Sequence, residues 1–175
     1  RVLDVMLPFF TEHFGNASSR NHPFGWKAGK AVERAREQVA ALIGVRFRDV
    51  VFTSGATESN NLAIKGVAAR APQHRRHIVT VSTEHRSVLD PFLALGRDGF
   101  RVTRLGVDAE GRLDLQRMSE AIADDTLLVS VMSGNNEIGV LQPVTEIARL
   151  ARARGVIFHC DAVQSAGLVP MNAGE

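Results

Sequence analysis

The stretch "VFTSGATESNNLAIKG", residues 51–66, decides how the chain reads. Its first residues are β-branched and apolar, its last ten favour a helix, and Gly55, Ala56 and Thr57 stand at the junction. Small residues there let backbone N–H groups approach a ligand, Thr57 adds a hydroxyl, and the helix dipole favours an anion. The run is no nucleotide P-loop, because Gly-Lys-Ser/Thr is missing and Lys65 lies about two turns on. No G-x-G-x-x-G run occurs to suggest a dinucleotide. A phosphate fits the place, although Ser and Thr also cap many helices with no ligand present.

Outward from this junction the same pattern repeats. "DVVFTS", "HIVTVS", "RVTRLGV", "TLLVSVMS" and "VIFHCDA" predict strands. Between them "TESNNLAIKGVAARA", "HRSVLDPFLALGRDG", "LDLQRMSEAIA" and "PVTEIARLARARG" predict helices, with Pro91 near the first turn of its helix and Pro143 at the start of the last. Short, near-continuously apolar strands alternating with helices specify a mostly parallel sheet covered on both faces, an open α/β layer. Upstream, "VLDVMLPFFTEH" suits a short amphipathic helix despite Pro8. "WKAGKAVERAREQVAALIG" suits a longer one, with Trp26, Val32, Ala35, Val39 and Leu42 on one face and Gly44 at its end.

Composition narrows the function classes. The 175 residues are 45 % hydrophobic and 23 % charged with a net charge of +2, an ordinary globular balance that gives no case for nucleic acid. "RAPQHRR", residues 70–76, reads as a solvated loop. The one cysteine, Cys160, excludes an internal disulfide framework and a cysteine-based metal cage. No apolar run nears the roughly 20 residues that cross a bilayer, and no signal peptide is evident. No metal is expected. The first residue is Arg1 and the last segment is "MNAGE", so the chain reads as a piece of a longer protein.

In an open α/β sheet, ligands gather where strands end and loops lead into helices. Four such loops carry polar residues: Gly55-Ala56-Thr57, Thr83-Glu84-His85, Asn135-Asn136-Glu137 and Asp161-Ala162-Val163-Gln164. Asp161 ends an apolar strand, where a carboxylate needs a cation or hydrogen-bond donors. A protonated ring nitrogen is one such partner, and Gln164 stands one turn on, able to donate to an oxygen of the same ring. His85 can lay its imidazole on a planar ligand, and Asn136 offers an amide. Singly, each has a plain structural reading: a cap, a satisfied loop histidine, a turn residue. Together they describe pyridoxal 5'-phosphate.

"FGNASSRNHPFGW", "VFTSGATESNNLAIKG", "TEHRSVL", "GRLDL", "SVMSGNNEIGVLQP" and "FHCDAVQSAG" span nearly the whole chain, and on them it resembles the cysteine desulfurases of the NifS and IscS type. These are class V aminotransferase-like, fold type I enzymes dependent on pyridoxal 5'-phosphate. The resemblance implies the α/β, three-layer large domain of PLP-dependent transferases with a mostly parallel sheet. That domain is incomplete here: residues 1–175 form part of it, and its remainder and a small C-terminal domain lie outside. It also implies that Ala56 and Thr57 bind the cofactor phosphate. His85 then stacks on the ring and assists proton transfer, Asn136 and Gln164 contact the ring hydroxyl, and Asp161 pairs with the ring nitrogen. Ala17 in "GNASS" stands where the family usually has proline.

The family's Schiff-base lysine, in a Ser-x-His-Lys context, and its persulfide-forming loop cysteine would both follow Glu175. Lys27, Lys30 and Lys65 read as solvated surface residues and Cys160 as an inert core thiol. The implied activity of the full-length protein is removal of sulfur from L-cysteine to give alanine and an enzyme persulfide. The sulfur would pass to acceptor proteins such as an iron–sulfur scaffold or to tRNA-thiolation partners. A cytoplasmic homodimer is implied, and the 175 residues alone are expected to be inactive. Two alternatives stay open: another class V enzyme such as a selenocysteine lyase, or a non-catalytic module that keeps the fold.

Overall fold

The computed structural model describes residues 1–174 and divides into two compact units, one of Thr53–Leu168 and one of Arg1–Phe52 with the segment from Val169. That division falls inside a chain whose sequence carries no evident linker.

The Thr53–Leu168 unit is the α/β layer. α3 (Ala56–Ala69) is followed by β1 (His77–Val81), α4 (Arg86–Arg97), β2 (Arg101–Leu105), α5 (Leu115–Ala121), β3 (Thr126–Ser130), α6 (Val144–Ala153) and β4 (Ile157–His159). The four strands form one sheet in the order β2-β1-β3-β4, every pair parallel. Each connection is a helical crossover, as parallel neighbours require. The two inner strands are buried throughout, which explains their unbroken apolar runs. Side chains alternate between faces, so Ile78 and Leu128 pack with Ile64, Val88 and Phe92 of α3 and α4. Val79, Val81, Val129 and Val131 instead pack with Met118 of α5 and with Ile147 and Ala151 of α6. Helix, sheet, helix is the three-layer arrangement expected.

A polar pin crosses the sheet within this core. His77 is fully buried, its Nδ1 2.8 Å from Thr126 Oγ1 on β3 and its Nε2 2.9 Å from Thr103 Oγ1 on β2. Burial, reinforced by Arg101 and opposed by Asp125, lowers the imidazole pKa and keeps the ring neutral.

In the other unit, α1 (Val2–Thr11) contains Pro8 and buries no residue. α2 (Pro23–Ile43) begins with His22 Nδ1 accepting from the Gly25 N–H at 3.2 Å and ends at Gly44, whose φ of 70° needs no Cβ. The apolar stripe assigned to α2 faces outward: Trp26, Val32, Val39 and Leu42 are exposed, whereas Gly25, Ala28 and Ala40 are buried. Period alone identified a helix, and the contacts use its small residues instead.

One further expectation is corrected. "DVVFTS" forms no strand. A 3-10 turn, Phe47–Asp49, leads into residues with an extended backbone at Val50 but no partner strand. Arg36 donates to the Val50 carbonyl and sets its guanidinium 4.9 Å from the centre of the Phe52 ring. β-branched residues specify extended backbone, but only a neighbour makes a strand. Pro91 lies just past the first turn of α4, in keeping with the expectation, and is buried there. It forgoes the bond to the Ser87 carbonyl and packs its ring in the interior. Among the described residues no helix is long and apolar enough to cross a membrane.

Candidate active site

α3 begins without a side-chain cap. Gly55 precedes it with an extended backbone (φ 163°, ψ 176°), and a Cβ added there would meet nothing within 4 Å. The first-turn N–H groups of a helix have no intrahelical acceptor, so this end offers donors into open space. Ala56 is half-buried and Thr57 is exposed. Glu58, the one acid of that turn, is drawn back onto Ser54, its Oε2 accepting from the Ser54 N–H at 2.7 Å and from Oγ at 2.5 Å. Those bonds hold the carboxyl below its usual range.

One turn into α3, Asn60 is 5 % exposed and bridges two other loops. Its Nδ2 donates to Asp161 Oδ2 at 2.8 Å and to Ser87 Oγ at 2.9 Å. Asp161 is itself 6 % exposed, and its Oδ1 accepts from the Val163 N–H at 3.1 Å. The plain reading of Asp161 as a local cap is therefore part of the picture. Yet among the described residues no cation pairs with it, and neutral donors alone hold a buried carboxylate. A cationic ligand atom would complete its surroundings.

His85 is the N-cap of α4. Its Nδ1 accepts from the Ser87 N–H at 3.1 Å and lies 2.8 Å from Ser87 Oγ, while the residue is exposed. The loop after β3 joins the same rim. The Ser133 N–H donates to the Asp161 carbonyl at 2.9 Å, and Asn135 Nδ2 donates to the Thr83 carbonyl at 2.9 Å. Asn135 Oδ1 also accepts from the N–H groups of Glu137 and Ile138, so Asn135 builds the loop and Asn136 is left exposed upon it. A Cβ on Gly134 would stand 3.9 Å from Gln164 Cβ, which places exposed Gln164 beside that loop. The loops of His85, Asn136, Asp161 and Gln164 therefore adjoin, and α3 reaches them through Asn60. Asn136 and Gln164 make no hydrogen bond through their side chains among the described residues.

Beneath the rim lies a second polar group that the sequence did not single out. Ser130 Oγ donates to Glu84 Oε1 at 3.2 Å and lies 2.9 Å from His159 Nδ1. Glu84 is 6 % exposed and its Oε2 has no hydrogen-bond partner among the described residues. Burial, opposed by the Ser130 bond and aided by Asp161, pushes its carboxyl up to about 7. Burial likewise lowers His159, against the pull of Asp161. Half-buried Cys160 is pushed up to about 12 by burial and then by the charges of Glu84 and Asp161. Such a thiol is inert. Lys27, Lys30 and Lys65 are all exposed. No grouping of three or more His, Cys, Asp or Glu suited to a metal ion occurs among the described residues.

The arrangement can hold a planar ligand with an anion at the start of α3, a cationic ring atom at Asp161 and one face near His85. Asn60, Ser87 and Ser130 escaped the sequence reading, and Glu84 was named there only as part of its loop. Asn60 carried one faint signal, a polar residue on the turn of α3 that also faces the interior at Ile64.

Comparison with known proteins adds an independent line. The family model described as aminotransferase class-V matches residues 1–175. The chain is 56 % identical over 175 residues to cysteine desulfurase IscS of Anaeromyxobacter sp. (strain Fw109-5), which covers all of this chain and 43 % of that protein. It is 55 % identical over 172 residues to the mitochondrial cysteine desulfurase of Drosophila melanogaster, covering 98 % of this chain and 37 % of that one. The solved structure of a NifS-like protein superimposes with a TM-score of 0.94 at 38 % identity over 99 % of this chain and 48 % of that chain. A structure of SspA in complex with cysteine gives 0.92, also at 38 % identity, over 98 % and 49 %. The chain thus spans less than half the length of the relatives it matches.

Proposed function

Because the chain belongs to the aminotransferase class-V family, we propose that it is part of a cysteine desulfurase that uses pyridoxal 5'-phosphate. The observation that carries this reading is Asp161: a buried carboxylate, held by neutral N–H donors, on the same rim as the uncapped start of α3. A ligand with a phosphate at one end and a protonated ring nitrogen at the other satisfies both.

When bound, pyridoxal phosphate supplies an electrophilic carbon and a ring that draws electrons from the α-carbon of an amino acid. The residues of this chain do the rest of what is assigned here. The first-turn N–H groups of α3 and the Thr57 hydroxyl bind the phosphate. Asp161 holds a proton on the ring nitrogen, and Asn136 and Gln164 offer amide N–H groups to the ring oxygen. His85 covers the ring and holds or moves a proton at Nε2, because its Nδ1 is engaged by Ser87. The substrate is L-cysteine and the products are alanine and a persulfide on a cysteine outside these residues. A cytoplasmic homodimer that passes sulfur to acceptor proteins such as an iron–sulfur scaffold completes the proposal. Relatives named cysteine desulfurase support the substrate.

The test is to purify the native polypeptide that carries these residues and measure cofactor content after dialysis, then alanine formed from L-cysteine. Retained pyridoxal phosphate and alanine release are expected, with His85→Ala lowering release about 100-fold or more. A polypeptide that retains no pyridoxal phosphate, or a His85→Ala variant as active as its parent, overturns the proposal.

A further inference from the structure

Asp161 and His85 lie on different loops, and Asn60 and Ser87 join them in one hydrogen-bonded chain. The direction of every bond follows from the donors available. A carboxylate only accepts, so the atom of Asn60 facing Asp161 Oδ2 at 2.8 Å is the amide nitrogen. The same nitrogen faces Ser87 Oγ at 2.9 Å and gives its second hydrogen there. Ser87 Oγ has then accepted once, and its own hydrogen is free for His85 Nδ1 at 2.8 Å. The Ser87 N–H points at the same nitrogen from 3.1 Å. His85 Nδ1 is thus an acceptor, and the ring carries its hydrogen on Nε2. Both Asn60 and Ser87 are buried, at 5 % and 7 % exposure, so water cannot replace these bonds readily.

From this we propose that Asn60 is a positioning residue: it fixes the Asp161 carboxylate for the ring nitrogen and, through Ser87, fixes His85 in its Nε2–H form. The proposal rests on the pyridoxal phosphate reading above. The side-chain amide nitrogen of Asn60 is engaged by Asp161 and Ser87, so no contact with cofactor or substrate is assigned to it. Asn60 acts by orienting two groups that are assigned such contacts, from a helix whose first turn binds the phosphate, so three contacts to one ligand share one rigid support. Asn60 was placed to do this by tertiary packing across 101 residues of sequence. A helix-surface asparagine with no such role would not carry two side-chain acceptors in the interior.

The test uses the native polypeptide and two ligands, pyridoxal phosphate and its 1-deaza analogue, in which C–H replaces the ring nitrogen. The readout is the ratio of their dissociation constants, in which every interaction common to both ligands cancels. Asp161→Asn keeps the shape and removes the charge, and is expected to bring the ratio close to one. Asn60→Ala is expected to lower the ratio on the order of tenfold, as for loss of a hydrogen bond to a charged group. In the ligand-free protein it is also expected to move the ¹⁵N resonance of His85 Nδ1. A general loosening of the fold would weaken both ligands alike and leave the ratio unchanged.

If Asp161→Asn collapses the ratio and Asn60→Ala does not lower it, the positioning role is overturned and the cofactor reading stands. If Asp161→Asn leaves the ratio as it was, the assignment of Asp161 to the ring nitrogen falls, and the role of Asn60 with it. Should Asn60→Ala fail to fold, Ser87→Ala takes its place. It removes the second acceptor of Asn60, and a drop of about threefold in the ratio is expected. An unchanged ratio overturns the proposal.

Discussion

Glu84 carries opposing demands on one carboxyl group. Its Oε1 is bonded by Ser130 while Oε2 has no hydrogen-bond partner among the described residues, and the residue is almost fully buried. A charged carboxylate there is disfavoured, so its pKa rises from the usual 4.5 to about 7. A folded-state value above the unfolded one means that the folded chain binds the proton more tightly. The resulting stability is full below pH 4.5 and is lost as pH rises through about 7. Buried His77 works in the opposite sense. Its lowered pKa favours the neutral ring, so the folded chain loses stability as pH falls through the usual imidazole range. Replacing Glu84 with Gln keeps the shape and an acceptor for Ser130 but removes the titration. Glu84→Gln is expected to abolish the loss of stability between pH 4.5 and about 7 and leave the acid limb due to histidine. Urea melts across that range check it, and a parallel decline in parent and variant would exclude Glu84 as the source.

At the scale of elements, the helices of the α/β layer differ in how they begin. α5 starts at Asp114, whose Oδ1 accepts from the N–H groups of Gln116 and Arg117, at 2.8 and 3.3 Å. α4 starts at His85, and α3 starts with no cap. Asp114 caps α5 with its side chain, whereas α3, like α6, begins with no side-chain cap, and the function proposed above draws on the open donors of α3 alone. Asp114→Ala is expected to cost about 1 kcal/mol of stability, the usual value of an N-cap, with no change in affinity for pyridoxal phosphate. Denaturation and binding measurements on the one variant separate the two effects. The sequence reading began this helix at Leu113 in "LDLQRMSEAIA", and the structure instead makes Asp114 its N-cap. The apolar stripe of α2 was readable and misled, because an amphipathic period does not say which side a helix will bury.

For the whole molecule, the loops assigned to the cofactor all belong to one compact unit, Thr53–Leu168. Within it the rim is built by α3 and by the loops after β1, β3 and β4. Of the three lysines, Lys65 is exposed on α3, and Lys27 and Lys30 are exposed on α2. None stands in the Ser-x-His-Lys context that the resemblance implies for covalent attachment of the cofactor. The 175 residues alone are therefore expected to release no alanine from L-cysteine above a control of free pyridoxal phosphate. Release of alanine at a rate well above that control would overturn this.

The sequence by itself determined the alternation of strands and helices from α3 onward, the parallel direction of the strands and the polar loops at their ends. Those follow from local matters: the period of apolar residues, β-branching, caps and the loop chemistry of His85, Asn136, Asp161 and Gln164. Tertiary structure alone decided that residues 50–53 form no strand, that α2 buries its small residues, and that Asn60 lies against Asp161. It also decided that Glu84 and His159 share Ser130. Each depends on the register and crossing of elements far apart in the chain. A hydrogen bond between side chains 101 residues apart leaves no period and no propensity in the sequence that forms it.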